Sequence, residues 1–263
     1  MNDCFVMKCG GSTLAELPVG FFEELKSLQS DGTIPIIVHG GGPAISDTLA
    51  KLDIPTEFVG GLRKTSEAVL DVVEMVLAGK INKEIVRRIQ ATGAAALGLS
   101  GVDGRLIVAE PVANADEIGF VGEVVDVQAS LVQGIVNLGY IPVIAPIGID
   151  QAGQRYNINA DTAAGAVASH IGAARMIVVT DVPGIMRTAA NGDKQVLPAV
   201  TRQEIEAMIE SGEIYGGMIP KVRAAMKCLH GQVHEVVIAD GKLPGILRQV
   251  LDGVEVGTRI VQD

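Results

Sequence analysis

Ile34-Pro35-Ile36-Ile37-Val38-His39-Gly40-Gly41-Gly42-Pro43 joins a β-branched apolar run to a glycine cluster, and Ala44 to Leu52 follows with helical character. A short continuous apolar run of this kind suits a strand buried on both faces. Three glycines let the backbone turn sharply, and a proline fits the first turn of a helix. The unit reads as strand, glycine turn, helix.

The same punctuation recurs outward from it. Phe5 to Lys8 is a β-type run ending at Gly10-Gly11-Ser12, before Phe21, Phe22, Leu25 and Leu28 at helical spacing. Glu67 to Gln90 is a long helical pattern with Val69, Val72, Val73, Val76 and Leu77 on one face. Strands are predicted at Ala94 to Leu99, Tyr140 to Ala145, Arg175 to Thr180 and Glu235 to Ala239. Helices are predicted at Ala129 to Leu138, Asn159 to Ile171, Arg202 to Glu210, Pro220 to His230 and Leu243 to Leu251. Arg105 to Glu110 and Gly119 to Val127 read as short strands around a loop, a hairpin or flap. Alternating strands and helices imply right-handed crossovers and an α/β fold with a mainly parallel central sheet, helices covering both faces. The soft boundary near Gly172 to Arg175 predicts two lobes, 1–174 and 175–263, on one continuous sheet.

Composition narrows the function. The chain has 263 residues, 48% hydrophobic and 20% charged, which is ample for a buried core. Its net charge of −10 repels nucleic acid and anionic membranes, so an anionic substrate must be met by local positive charge. Cys4, Cys9 and Cys228 are few and odd in number, as expected of reduced thiols in a cytoplasmic protein. The N-terminal stretch has no basic segment followed by a sustained apolar run, so no secretory signal is read there. The apolar stretch from Ile135 to Ile149 is too interrupted to span a bilayer.

Glycine is in excess, 32 residues, and clusters directly after apolar runs. Open α/β sheets bind ligands at the carboxyl edge of their strands. Backbone N–H groups approach an anion closely at glycine, and a helix start adds partial positive charge. Lys8-Cys9-Gly10-Gly11-Ser12 and His39 to Pro43 therefore read either as a pair of N–H cradles or as two tight turns. No G-x-x-x-x-G-K-[ST], G-x-G-x-x-G, H-E-x-x-H or G-x-S-x-G motif occurs. Arg63, after Gly60-Gly61, sits where a guanidinium could grip a carboxylate, though the fragment alone favours a solvated surface arginine. Asn159 or Asp161 could cap the alanine-rich helix; the sharper reading has Asn157 bind substrate and Asp161 hold lysines in place. Lys221 follows a proline at a helix start, where the dipole favours anions, which suggests that it serves a negative ligand. The cysteines lack metal spacing, and His39, His170, His230 and His234 read as scaffold or surface residues.

Taken in order, these segments resemble the amino-acid kinase family: Lys8-x-Gly-Gly-Ser12, Val38-His-Gly-Gly-Gly-Pro43, Gly61-Leu-Arg63, Glu74 to Lys83, Gly98 to Gly104, Gly119 to Gly122, Asn157 to Asp161, Thr180 to Ile185 and Gly216 to Val222. Each is weak alone; their joint order over the chain is specific. The resemblance implies a three-layer αβα sandwich of two lobes, an acid-substrate lobe with the dimer interface and a nucleotide lobe. It implies ATP-dependent phosphorylation, with Mg²⁺, of the side-chain carboxylate of N-acetyl-L-glutamate in arginine synthesis. By position, Lys8 and Lys221 would stabilise the phosphoryl group, and Asp161 would orient both. Gly11 and Gly42 would offer N–H groups to it, while Gly41, Gly42, Arg63, Asn157 and Asn159 would line the acid site. Asp181, Val182, Pro183, Gly184, Ile185 and Met186, with Glu213, Ile214 and Tyr215, would border the nucleotide. Metal ligands from the protein are not expected.

Lys64-Thr65-Ser66 stands where the family usually has a small apolar residue followed by Thr-Asp, which leaves a carrier-bound aminoadipate as the alternative acid. A non-catalytic amino-acid sensor of the same fold is the alternative outside catalysis. The first strand begins almost at residue 1, and arginine-inhibited members of the family carry an additional N-terminal helix that assembles hexamers, so the resemblance implies an arginine-insensitive homodimer, with an interface on the apolar face of Glu67 to Gln90.

Overall fold

The computed structural model describes residues 3–173, 175–188, 193–216, 218–229 and 233–261. In chain order, β1 (Asp3–Cys9) runs into α1 (Gly11–Glu16) and α2 (Val19–Ser30), and β2 (Thr33–His39) runs into α3 (Gly42–Lys51). The hairpin β3 (Phe58–Val59) and β4 (Leu62–Arg63) leads to α4 (Glu67–Glu74), which continues through a π-helical stretch, Met75–Ile81, into α5 (Asn82–Gln90). Next come β5 (Ala96–Ser100), β6 (Ile107–Pro111), α6 (Ala115–Ile118), β7 (Val121–Val127) and α7 (Ala129–Asn137). They are followed by β8 (Ile141–Ala145), β9 (Ile147–Ile149), β10 (Arg155–Ile158) and α8 (Ala160–His170). The last part holds β11 (Arg175–Thr180), β12 (Met186–Thr188), β13 (Lys194–Val196), β14 (Ala199–Thr201), α9 (Arg202–Glu210), α10 (Met218–Cys228), β15 (Glu235–Asp240), α11 (Ile246–Leu251) and β16 (Thr258–Val261).

Eight strands form one sheet in the order β14-β16-β15-β11-β1-β2-β8-β5. Every pairing is parallel except β15 with β16. Successive strand residues face opposite sides, and Ile36, Ile37 and Val38 are all buried, so helices cover both faces of β2. Phe21, Phe22, Leu25 and Leu28 of α2 are buried, and so are Ala163, Ala164, Val167 and Ala168 of α8. In register, Lys8 lies beside Val38 on β2 and Val178 on β11, so three strands finish level. Their ends place both glycine clusters and Asp181 along one edge. The expected three-layer αβα arrangement with a mainly parallel sheet is what folds.

Three local expectations change. The strands flanking residues 112–120 do pair as an antiparallel ladder, but they belong to a closed four-stranded barrel, β10-β7-β6-β9, rather than a free flap. Their other partners are strands of three and four residues, too short for alternation to reveal. Glycines let the barrel close: a Cβ on Gly122 would fall 2.6 Å from that of Tyr156, and one on Gly148 as close to that of Ala109. The apolar stripe of Glu67 to Gln90 is turned into the protein's own core, with Val69, Val72, Val73, Val76 and Leu77 buried, and does not face outward as an interface. Met75, 58% exposed, is the large apolar residue this helix leaves in solvent. Arg105 belongs to a turn with φ of 54° rather than to the strand that follows it. Among the described residues no helix is long and apolar enough to cross a membrane.

Candidate active site

Both glycine turns open helices. α1 starts at Gly11 and α3 at Gly42, and neither start has a side-chain cap. Uncapped first-turn N–H groups remain available to an anion. The turns touch each other: a Cβ on Gly11 would fall 2.5 Å from Gly41 Cα and 2.7 Å from Gly41 nitrogen. A Cβ on Gly41 would collide with Leu77 and Ile81 of the π-helical stretch. At Gly11 the obstacle is backbone, so only glycine fits there; at Gly41 the Leu77 and Ile81 methyls would have to move.

Lys8, at the end of β1, forms an ion pair with Asp161 at 3.0 Å, and their side chains are 16% and 17% exposed. Asp161 lies in the first turn of α8, where the helix dipole favours its charge. Asn159 caps that helix, its Oδ1 accepting from the Asp161 and Thr162 N–H groups at 3.0 and 3.1 Å. Lys221 leaves α10 toward the neighbouring strand end, where its Nζ donates to Asp181 at 2.7 Å and to Thr180 Oγ1 at 3.1 Å. That bond holds the Asp181 carboxyl below the usual range. Asp161 therefore holds Lys8, whereas Lys221 is held by Asp181. The expectation that Asp161 orients both lysines is not met in this arrangement, because Asp181 stands nearer the path of Lys221 from α10 to the end of β11. The two helices are nonetheless tied, since the buried Cys228 thiol of α10 donates to the Asp161 carbonyl at 3.3 Å.

A cleft of about 190 Å³ opens beside Lys8, between the start of α3, the β3–β4 hairpin and the β10–α8 junction. Gly41, Gly42, Arg63, Asn157, Asn159 and Asp161 line it, with Ile45, Leu77 and Val121 as apolar wall. Arg63 is 7% exposed, which removes the surface reading. Its Nη2 donates to Gly42 O at 3.1 Å and Ser46 Oγ at 2.9 Å, and its guanidinium sits 4.7 Å from the centre of the Phe58 ring. No carboxylate among the described residues pairs with it, and burial lowers its pKa. Asn157 donates to Thr65 Oγ1 at 3.1 Å, and the Thr65 hydroxyl in turn donates to Arg63 O at 2.7 Å. Ser46 was missed in the sequence, and Thr65 was noted only within Lys64-Thr65-Ser66 and given no contact; single hydroxyls inside a helix or after a turn carry no distinguishing pattern.

A second cleft, about 200 Å³, is lined by Ile185, Met186, Glu213, Ile214 and Tyr215, together with Lys194 and Met218, which the sequence did not single out. Glu213 pairs with Arg187 at 2.8 Å. Asp181, Val182, Pro183 and Gly184 form the turn leading into this cleft rather than its wall. The turn is fixed by buried Thr258, whose hydroxyl accepts from Ile185 N at 2.8 Å and donates to Leu197 O at 2.7 Å. A wider space of about 600 Å³ adjoins the first cleft, sharing Gly61, Leu62, Val121 and Asn159 with it and reaching Arg223 and Lys227.

His39 has no solvent exposure, and burial pushes its imidazole down to about 4, so it is neutral. Burial pushes the Cys9 and Cys228 thiols up to about 12, so neither is a nucleophile. His230 lies outside the described residues, as does Gly217 of the Gly216 to Val222 segment.

A sequence model described as the amino acid kinase family matches residues 3–240. A curated acetylglutamate kinase of Geobacillus kaustophilus is 51% identical over 242 residues, 92% of each chain. Another, from a Geobacillus species, is 50% identical over 244 residues, 93% of each chain. Among solved structures, a Streptococcus mutans protein is 29% identical with a TM-score of 0.85, and each chain is covered in full.

Proposed function

The chain belongs to the amino acid kinase family, and from that premise we propose that it transfers the γ-phosphoryl group of ATP to the side-chain carboxylate of N-acetyl-L-glutamate. The products are ADP and N-acetylglutamyl 5-phosphate, in arginine biosynthesis. The observation that carries the substrate class is Arg63, a buried guanidinium that lines a small cleft and pairs with no carboxylate among the described residues. A buried cation without a counter-charge is costly unless a ligand supplies one. The acid substrate's α-carboxylate does so, with Asn157 and Asn159 meeting its polar groups.

The chemistry needs no general base, because a glutamate-like carboxylate, with a pKa near 4.3, is already ionised at neutral pH. A carboxylate oxygen forms a bond to the γ-phosphorus, the bond from phosphorus to the β,γ-bridging oxygen breaks, and ADP leaves with that electron pair. The protein must align two anions and spread the charge of the transferred group. Lys8 approaches from β1 and Lys221 from α10 beside β11, and the Gly11, Gly41 and Gly42 N–H groups complete the cradle. Asp161 fixes Lys8. Asp181, from the turn entering the second cleft, fixes Lys221 until phosphates draw the lysine away. ATP occupies the second cleft, with Ile185, Met186, Ile214 and Tyr215 as apolar contacts for the base.

Among the described residues no three acidic, histidine or cysteine side chains gather as a metal cage. Asp161 and Asp181 are each already ion-paired, which fits a Mg²⁺ held by phosphate oxygens and water. When bound, Mg²⁺ supplies neutralisation of charge on the phosphates. The acid cleft is built from residues before 162 and the nucleotide cleft from residues after 184, which supports lobes divided near 174. A cytoplasmic homodimer belongs to the same reading; a sedimenting hexamer, or inhibition by arginine, refutes that assembly.

Hydroxylamine traps acyl phosphates and so tests the reaction directly. With ATP and Mg²⁺, hydroxamate should form from N-acetyl-L-glutamate and not from glutamate, aspartate or aminoadipate derivatives. Hydroxamate from another acid alone reassigns the substrate, and none from any acid leaves a sensor.

A further inference from the structure

Behind the second glycine turn lies a buried polar group that the reaction above does not use. His39 ends β2, with Nδ1 3.2 Å from Gly40 O and Nε2 3.2 Å from Asn82 Nδ2. Both side chains are fully buried. Asn82 is the first residue of α5, directly after the π-helical stretch. Its Nδ2 donates to Val143 O at 2.8 Å and Leu99 O at 3.1 Å, and its Oδ1 accepts from Lys83 Nζ at 3.0 Å. These partners fix the amide, because turned over it would set its oxygen against two carbonyls and its nitrogen against an ammonium. Asn82 Nδ2 thus shares two N–H groups among three neighbours and offers no lone pair, so a proton on His39 Nε2 would find no acceptor there. The ring's one proton is then on Nδ1 and is donated to Gly40 O. Only this tautomer of the neutral ring gives its proton an acceptor and leaves Nε2 bare toward the shared Asn82 amide.

Gly40 is thereby held at both ends, since its N–H donates to Cys9 O at 2.9 Å. The Gly40–Gly41 peptide is trans, so the Gly41 N–H points opposite the restrained Gly40 carbonyl. That N–H has no hydrogen-bond partner among the described residues, and Gly41 lines the acid cleft. The same peptide is where the two glycine turns meet, close against Gly11.

We propose that His39, backed by Asn82, is a positioning residue for the phosphoryl transfer: it locks the Gly40–Gly41 peptide so that the Gly41 N–H aims at the oxygens of the acid and the group it receives. The proposal rests on the phosphotransfer reading. Losing a preorganised donor typically costs 10²–10³ in rate, and a donor that is present but misaimed costs somewhat less.

The test compares H39F with H39N, each assayed where it is fully folded. Phenylalanine fills the ring's space without a donor; asparagine is smaller but can set an N–H near the position of Nδ1. In H39F, kcat should fall about 10- to 100-fold with KM for ATP near that of the parent, and H39N should recover at least about tenfold of that loss. Equal kcat in the two variants, or parental kcat in both with only a lowered Tm, overturns the proposal. A second readout uses the unaltered protein: ¹⁵N NMR of labelled histidine, assigned against H39N. A protonated Nδ1 and a bare Nε2 are expected at pH 7, and the reverse tautomer or an imidazolium overturns the proposal even if neither variant folds. Absence of phosphotransfer by the parent enzyme is a different result. It overturns the reading in the previous section and this role with it, while the ring's protonation is measured independently.

Discussion

The proposed acid side and the proposed nucleotide side of this molecule each hold a lysine paired with an aspartate, in unlike surroundings. Lys8 and Asp161 are 16% and 17% exposed, fixed by a central strand and a capped helix. Lys221 and Asp181 are 37% and 52% exposed, at a glycine-containing turn. Charge interactions weaken steeply with solvent access. The acid side is therefore set before substrates arrive, with Arg63, Asn157 and both glycine turns already in place. The nucleotide side holds its lysine on a surface aspartate that phosphates can replace.

The sharpest break in this comparison comes from kcat. Lys8→Ala should lower kcat about 10³-fold and Lys221→Ala about 10²-fold, each with a much smaller rise in KM. A larger loss at Lys221 would invert the ranking, and changes confined to KM would make both lysines ground-state binders. Stability against pH probes the buried side next. Folding lowers the His39 pKa from 6.5 to about 4, so the unfolded chain binds the extra proton between those values. The contribution is complete above about pH 6.5 and is lost as pH falls toward 4, up to about 3 kcal/mol. The difference in urea unfolding between the parent and H39F should show that slope; parallel curves would mean the ring is not buried neutral. Arg63→Ala should raise KM for the acid about 30-fold, near the 2 kcal/mol of a charged hydrogen bond, and leave KM for ATP unchanged. An equal rise for ATP would merge the two clefts. Smallest is the exposed pair: Lys221 depresses the Asp181 carboxyl, so its contribution exists above the ordinary aspartate range and is lost as pH falls through the lowered value. With half of Asp181 in solvent, D181N should change unfolding stability by within about 0.5 kcal/mol; several times that would make the nucleotide side as preorganised as the acid side.

Much of the first cleft and its glycine turns was legible because these residues lie at strand ends, where apolar runs stop at glycine. Gly11, Gly41 and Gly42 announced themselves in this way, and Asp161 by its place at a helix start. Arg63 was misjudged from its fragment because burial depends on Phe58, Ser46 and the hairpin folding over it, none of which local spacing encodes. The barrel was missed because β9 and β10 are too short to show a period. Thr258 and Asn82 were given no role for another reason: Thr258 holds Ile185 and Leu197, 73 and 61 residues away, and Asn82 meets His39 and Val143, 43 and 61 residues away, and a single polar side chain in a helix or strand looks the same whether it faces solvent or a buried carbonyl.

Sequence alone determined the alternation of strand, glycine turn and helix, and with it the parallel sheet, because periodicity and glycine's freedom act within a few residues. Tertiary structure decided the partners: Lys8 with Asp161, Lys221 with Asp181 rather than Asp161, and His39 with Asn82. Those pairings arise from strand register and helix placement, which bring together atoms that local rules cannot relate.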